Sequence, residues 1–445
     1  MRQLISASIL TATLLASTGM ADLAPNIQLA SVHAAEAGND ATAQAAKAQN
    51  KKKRRRTPAL GSRVYSQLAR AQQLADGGDV AAGLEVLDEV KSKASSLNSY
   101  EKAMMYNFYG FIFYNAERVD EALAAFEQVV AQQPIPESLE KSTLFSLSQL
   151  AMANGEYERT LAYLTRWETV DGGEVPAKNQ VLKAQASYQN KDYQSAAKYI
   201  ETAISTQSNG GFKVEENWYV LQRAIYFELK QPEKVTQVLE TMVRLFDKPE
   251  YWLQLAGMYG ELGEEQKQLA VLEAAYQQGY VTKKSDYRNL AQIYYLHGLP
   301  YKAATVMEQG FAKSILPKSD KNLTFLAQAL VAAKEFARAI ESYRLLSNQT
   351  ADGQADQQIA ELYLQLGEFE KVVDAGKRAL HKDGLANPGN LYLALGMASF
   401  NLKQFDDALD AFNQAVKIKS SKKMASQWLK FVQREKVRLN ELARS

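Results

Sequence analysis

The chain of 445 residues contains 46% hydrophobic residues, 23 Tyr and 16 Phe, has a formal net charge of +2 and contains no Cys. The absence of Cys excludes disulfide staples, thiolate zinc sites and lipid anchoring through an amino-terminal cysteine. One run of six cations exceeds the whole net charge, so the remainder is close to neutral, which argues against general nucleic-acid binding.

In chain order, Arg2 precedes an apolar run from Leu4 to Ala16, followed by small residues around Gly19-Met20-Ala21 and Val32-His33-Ala34-Ala35. This is the anatomy of a cleaved secretory signal peptide, expected over residues 1–35 with cleavage near Ala34 or after Ala21. The run falls short of the roughly 20 residues of a spanning helix. Its removal predicts a periplasmic protein that is not a lipoprotein. Residues 36–62 read as a disordered linker rich in Ala, Gln and Asn, carrying Lys51, Lys52, Lys53, Arg54, Arg55 and Arg56. The basic tail is a candidate for peripheral contact with membrane lipid, peptidoglycan or an acidic partner. As a solvated spacer it has an equally simple explanation.

Residues 63–416 repeat. Trp252-x-x-Leu255-Ala256-x-x-Tyr259-x-x-x-Gly263 recurs 35 residues later as Tyr287-x-x-Leu290-Ala291-x-x-Tyr294-x-x-x-Gly298. A packing slot recurs at Gly83, Ala122, Thr160, Ala196, Val235, Gln268, Ala303, Ala339, Val372 and Ala408, at intervals of 33 to 39 residues. Twelve residues earlier stand Ala71, Gly110, Ser148, Ala184, Ala256, Ala291, Ala327, Ala360 and Gly396. Small residues there let two helix axes approach, and a period of this length predicts stacked helical hairpins. The expected fold class is all-α, a right-handed α-solenoid of about ten hairpins. An amphipathic segment from Ala425 to Ala443, with Trp428, Val432, Leu439 and Leu442 on one face, is expected to cap it within residues 417–445.

Chemistry has few places to sit. His297 and His381 lie in different repeats, beside helix carboxyl ends where partial positive charge is favoured. There is no zinc spacing, no nucleophile elbow, no phosphate loop and no calcium loop. Asp76-Gly77-Gly78-Asp79 occupies a turn. No catalytic residue, metal or cofactor is assigned.

The repeat resembles the tetratricopeptide repeat, whose order of aromatic, Leu, small residue, Tyr, Gly, Ala and Pro is met over 252–275 and over 106–134, where Ala122-x-x-x-Phe126 leads to Pro134. Val235, Gln268, Lys183 and Lys403 depart from it. The resemblance implies a concave surface lined by the first helix of each pair, which takes peptide segments. Its exposed positions would lie three before, one after and four after the small residue. Transferred here, they give groove candidates Asn107, Phe111 and Tyr114; Leu253; Arg288, Gln292 and Tyr295; Gln328; Gln357; and Leu393, Met397 and Phe400. Thr324 also lies on this stripe.

More narrowly, Arg54-Arg55-x-Thr57-Pro58-Ala59-Leu60, Asn98-Ser99-Tyr100-Glu101, Met104-Met105-Tyr106-Asn107-Phe108-Tyr109-Gly110 and Lys248-Pro249-Glu250-Tyr251-Trp252-Leu253 are similar to exported tetratricopeptide proteins that accompany TonB, ExbB and ExbD systems. That likeness implies a TonB-type protein or TonB-dependent receptor as partner. The function expected is a non-catalytic, protein-binding envelope scaffold. Alternatives are an architectural role in polysaccharide export, peptidoglycan synthesis or outer-membrane assembly, and an enzyme with a site grafted onto the array.

Overall fold

The computed structural model describes residues 56–442 apart from Glu174, and the side chains as far as residue 439. Residues 1–55, which include the expected signal segment and Lys51 to Arg55, lie outside the described residues; Arg56 is exposed. Every regular element among the described residues is helical. The chain divides into two compact units, the first ending at Tyr251 and the second beginning at Trp252.

The first unit pairs α1 (Ser62–Asp76) with α2 (Val80–Lys91), α3 (Ser99–Asn115) with α4 (Val119–Ala131), α5 (Glu137–Ala153) with α6 (Tyr157–Asp171), α7 (Ala177–Gln189) with α8 (Tyr193–Asn209), and α9 (Glu216–Glu228) with α10 (Pro232–Phe246). Helix α11 (Pro249–Glu261) begins at the division, and α12 (Glu265–Gln277) follows it in the second unit. There α13 (Lys284–Leu296) pairs with α14 (Pro300–Ala312), α15 (Asp320–Ala332) with α16 (Phe336–Ser347), α17 (Gln354–Leu366) with α18 (Phe369–Lys382), and α19 (Pro388–Asn401) with α20 (Phe405–Val416). Helix α21 (Lys422–Leu442) packs on α20.

The hairpins turn by one device. Five residues before each packing slot the backbone enters the left-handed region, at Gly78, Glu117, Gly155, Lys191, Lys230, Gly263, Gly298, Lys334, Gly367 and Lys403. Glycine takes this conformation freely, whereas the lysines and Glu117 adopt it against their Cβ. Across four of these turns a lysine stacks on the tyrosine eight residues earlier: Lys234 on Tyr226 at 4.8 Å, Lys267 on Tyr259 at 5.2 Å, Lys302 on Tyr294 at 5.4 Å and Lys371 on Tyr363 at 5.2 Å. Such contacts contribute about 0.5–1 kcal/mol each at exposed sites.

The seams follow the small-residue register. A Cβ on Gly110 would lie 2.6 Å from the Phe126 ring, and one on Gly396 would lie 2.6 Å from Phe412. Ala122, Ala303, Ala339 and Ala408 are fully buried. Asp79 caps α2 by accepting from Ala82 N at 2.9 Å, so the Asp-Gly-Gly-Asp run is a turn with a helix cap. At the carboxyl end Val432 and Ala425 are fully buried, and Trp428 stacks on Phe412 at 5.6 Å and 11°. Helix α21 thus covers the apolar face that α20 would otherwise expose.

The expected linker is too long at its carboxyl end. Asn98 Nδ2 donates to Ala59 O at 3.0 Å, Gly61 N donates to Glu101 Oε1 at 3.1 Å, and Leu60 packs into the first apolar cluster. Asn98 and Glu101 form a reciprocal capping box at the start of α3. Residues 59–61 therefore belong to the folded body.

Candidate functional site

The first helix of each hairpin carries both the small seam residue and the side chains predicted to line a groove. Near 100° per residue, the predicted stripe lies about 40–100° from the seam, so the seam competes for its edges. Three residues lose that competition. Asn107 is 9% exposed, Gln357 8% and Leu393 7%, and all three stand three residues before the small slot. Gln357 is also engaged, its Nε2 donating to Glu361 Oε1 at 2.9 Å and Asn387 O at 3.4 Å. These three are core residues, and their assignment to an accessible groove is corrected.

Aromatic candidates in the first unit are partly buried in packing. Phe111 meets Phe126 edge-on at 5.2 Å, and Tyr114 rests on the same cluster. In the second unit Leu253 packs against the large apolar cluster. Met397 and Phe400 pack into the terminal cluster beneath α21, with Phe400 lying 5.9 Å from Trp428 and 5.3 Å from Phe431. The capping helix occupies the space that would have made Phe400 an anchor for a partner.

One stretch of the stripe opens. Arg288 and Gln292 from α13, and Lys321, Thr324, Phe325 and Gln328 from α15, surround a hollow of about 300 Å³. Met307 and Asn322 complete its wall. Both are buried, and Asn322 is fixed by donation from its Nδ2 to Pro317 O at 2.8 Å. Gln328 is exposed and Gln292 half-buried. Tyr295 stands 38% exposed with its ring 5.7 Å from Phe325, adding an aromatic shelf.

The electrostatics of this hollow are one-sided. Arg288 and Lys321 contribute two cations, and no Asp or Glu lines the hollow. Among the described residues neither cation has a carboxylate within ion-pair distance, although many other lysines and arginines do. Amide groups from Gln292 and Gln328 supply both donors and acceptors. The arrangement can hold an extended segment by backbone and carboxylate contacts; it contains no nucleophile paired with a base. Among the described residues no group of His, Cys, Asp and Glu is placed to hold a metal ion, and no helix is long and apolar enough to cross a membrane.

Sequence reasoning brought Arg288, Gln292 and Gln328 together and missed Lys321 and Phe325. Lys321 lies six residues before Ala327, one further turn along the same stripe. Extending the stripe toward the helix amino terminus would have found it. Phe325 lies two before Ala327, outside the pattern, and no spacing signal identified it.

Tetratricopeptide repeat family profiles match residues 112–174 and 389–422, and the chain carries tetratricopeptide repeats there. No curated protein sequence matches the chain. Solved structures similar to it include MamA, at 16% identity over 40% of this chain and 91% of that one, with a TM-score of 0.33. YrrB, described as a tetratricopeptide protein with an unusual peptide-binding site, is 14% identical over 42% of this chain and 95% of its own, with a TM-score of 0.33. A tetratricopeptide repeat protein from Parabacteroides merdae is 15% identical over 58% of this chain and 98% of its own, with a TM-score of 0.29.

Proposed function

We propose that this protein is a non-catalytic scaffold that holds an acidic segment of a partner protein in the hollow between α13 and α15. The observation that carries the reading is the convergence of Arg288 and Lys321, without carboxylate partners, beside the amides of Gln292 and Gln328 and the shelf of Tyr295 and Phe325. Stacked repeats present extended concave surfaces of this kind. An extended peptide would place carboxylates on the cations and an apolar side chain on the aromatic shelf. Hydrogen bonds to charged groups contribute about 1.5–3 kcal/mol each, so two of them decide whether the segment is retained.

The compartment follows from the amino-terminal sequence. Its short apolar run and small-residue sites support export to the periplasm by a cleaved signal, and the lack of Cys supports a form without lipid. Within the envelope, the similarity of residues 54–65 and 98–110 to exported proteins of TonB, ExbB and ExbD systems supports a TonB-type protein or TonB-dependent receptor as the partner. The run Lys51 to Arg56 is suited to holding the array near anionic lipid or peptidoglycan.

The test is photocrosslinking from Gln292 and Gln328 in intact cells, with and without Arg288→Ala plus Lys321→Ala. The reading expects one dominant captured envelope protein, and at least about tenfold less of it in the double variant. Recovery of TonB-system components supports that pathway, whereas recovery of cell-wall or export enzymes replaces it with an architectural role. Capture unaffected by the double variant removes the hollow as the binding site.

A further inference from the structure

A second hollow, of about 260 Å³, lies away from the groove where the ends of α12 and α14 meet the start of α13. Its polar lining includes Tyr276, Tyr287, Gln309 and Lys313, and Val281 and Ile315 form apolar wall. The register of the repeat gives these residues counterparts in the hairpin α17–α18. Tyr287 stands four residues before the small slot Ala291, as Asp356 does before Ala360. Gln309 and Lys313 stand six and ten residues after Ala303, as Arg378 and Lys382 do after Val372.

In α17–α18 those three positions form a closed charge cluster. Asp356, 1% exposed, meets Arg378 Nε at 3.1 Å and Lys382 Nζ at 3.0 Å, and accepts from Ser347 Oγ at 2.7 Å. In α13–α14 the carboxylate position is a tyrosine. Lys313 Nζ donates to Tyr287 Oη at 3.2 Å, and no ion pair involves Lys313 among the described residues. The Tyr276 hydroxyl donates to Gln309 Oε1, which leaves the Gln309 amide N–H groups for another acceptor. Lys313 keeps further N–H donors and Tyr287 keeps its hydroxyl proton. No Asp or Glu lines the hollow. It is therefore rich in donors and supplies no anion of its own.

We infer that this hollow binds a carboxylate from outside the chain, borne on a short apolar body, which takes the charge position that Asp356 fills four hairpin helices later. Lys313 pairs with the carboxylate, Tyr287 Oη and Gln309 Nε2 donate to it, and Val281, Ile315 and the Tyr287 ring cover the apolar part. Two sources share this chemistry: a free small monocarboxylic acid, and a glutamate side chain of a bound protein. The inference is independent of the groove between α13 and α15.

Calorimetric titration of the exported full chain with benzoate, 4-methylpentanoate and N-acetylglutamate α-methylamide tests it, with benzamide as the neutral isostere. At least one carboxylate is expected to bind with a dissociation constant around the millimolar range. Lys313→Met should weaken it by about tenfold or more, the loss of one charge-assisted contact, while Lys313→Arg keeps it within a few-fold. Lys313 is exposed, so unchanged circular dichroism and thermal midpoint verify that each variant is folded. Tighter binding of the glutamate derivative assigns the carboxylate to a partner's side chain; tighter binding of the simple acids assigns it to a free ligand. Binding of benzamide equal to that of benzoate, binding that survives Lys313→Met, or no binding by any carboxylate overturns the inference.

Discussion

Substituting Gly396 by alanine tests the packing register with a sign that helix propensity alone gets wrong. In an exposed helix interior, Gly→Ala stabilises by about 0.5–1 kcal/mol, because alanine loses less chain entropy. At Gly396 the added Cβ would sit 2.6, 2.7 and 2.8 Å from Cε1, Cζ and Cδ1 of Phe412. Phe412 has no room to retreat: it is fully buried and stacked on Trp428 at 5.6 Å. Overpacking of this kind costs about 1–3 kcal/mol, which leaves a net destabilisation of up to about 2.5 kcal/mol after the propensity gain. Gly257 provides the opposite case on α11, since it is exposed and nothing lies within 4 Å of its added Cβ. Gly257→Ala should therefore stabilise by about 0.5–1 kcal/mol. Repeat arrays open unit by unit, so native-state hydrogen exchange of amides in α19 and α20 reads the local effect better than one global midpoint. Phe412→Leu should rescue part of the Gly396→Ala loss, with a coupling energy above about 0.5 kcal/mol. Faster exchange is expected for Gly396→Ala and slower exchange around Gly257→Ala. Stabilisation by both would refute the claim that the glycine column is set by helix approach.

Two further effects follow from backbone conformation and buried charge. Lys334 and Lys403 are exposed and hold φ values of 62° and 60°; replacing either by Gly should stabilise its hairpin by roughly 0.5 kcal/mol, strain relief less the added chain entropy. Slower local hydrogen exchange is the measurement, and no change in either variant would show that these turns carry no strain. Burial opposes ionisation of Asp356, but hydrogen bonds from Ser347, Lys382 and Arg378 outweigh it and hold its carboxyl below the ordinary value of 3.8. A depressed folded pKa contributes stability that is complete above the unfolded value and is lost as pH falls through the folded one. Asp356→Asn should destabilise the second unit by about 1–3 kcal/mol near neutral pH, since it removes the charged acceptor of hydrogen bonds from Ser347, Arg378 and Lys382, while the two cations remain partly solvated. It should also flatten the acid limb of stability below about pH 4, read by urea unfolding across pH. An acid limb identical to that of the unsubstituted protein would exclude this carboxylate as its source.

The hairpins were legible because their cause is local and periodic. Small residues at Gly110 and Gly396 are required by rings sixteen positions later, and the same spacing is visible in the sequence. Turns at Gly155, Gly263, Gly298 and Gly367 announce themselves by residue type. Lys191, Lys230, Lys334 and Lys403 do not, and only the slot five residues later places them. The groove was legible in its angle and illegible in its depth. A wheel places Asn107, Gln357 and Leu393 on the same stripe as Arg288, but neighbouring elements decide which of them reach solvent. For Gln357 the neighbour is the backbone of Asn387, and for Phe400 it is α21. Such contacts join residues roughly a repeat apart, and a single-helix wheel contains no term for them.

Bulk in the seam is governed by pairs of positions, which explains the two departures that most disturb the repeat. Gln268 occupies a slot that elsewhere takes alanine, and its amide fits because Gly260 faces it; a Cβ at Gly260 would collide with Gln268 Nε2. In α9–α10 the departure lies on both sides. Val235 fills the second-helix slot, and the residue twelve earlier, small in the other hairpins, is Arg223. Burial draws the Arg223 guanidinium below the ordinary arginine pKa, against the opposing pull of Tyr251 and Glu250. Arg223 is partly buried at this position, and its guanidinium feels the charges of Tyr251 and Glu250. Small slots at Ala291 and Ala327 let the helices approach, but equally small slots at Gly110, Ala360 and Gly396 stand beside the buried Asn107, Gln357 and Leu393, so slot size alone does not open the surface at Arg288, Gln292 and Gln328. What is left over for a partner is set by the neighbouring elements that close or leave open each first helix, as the backbone of Asn387 does at Gln357 and α21 does at Phe400.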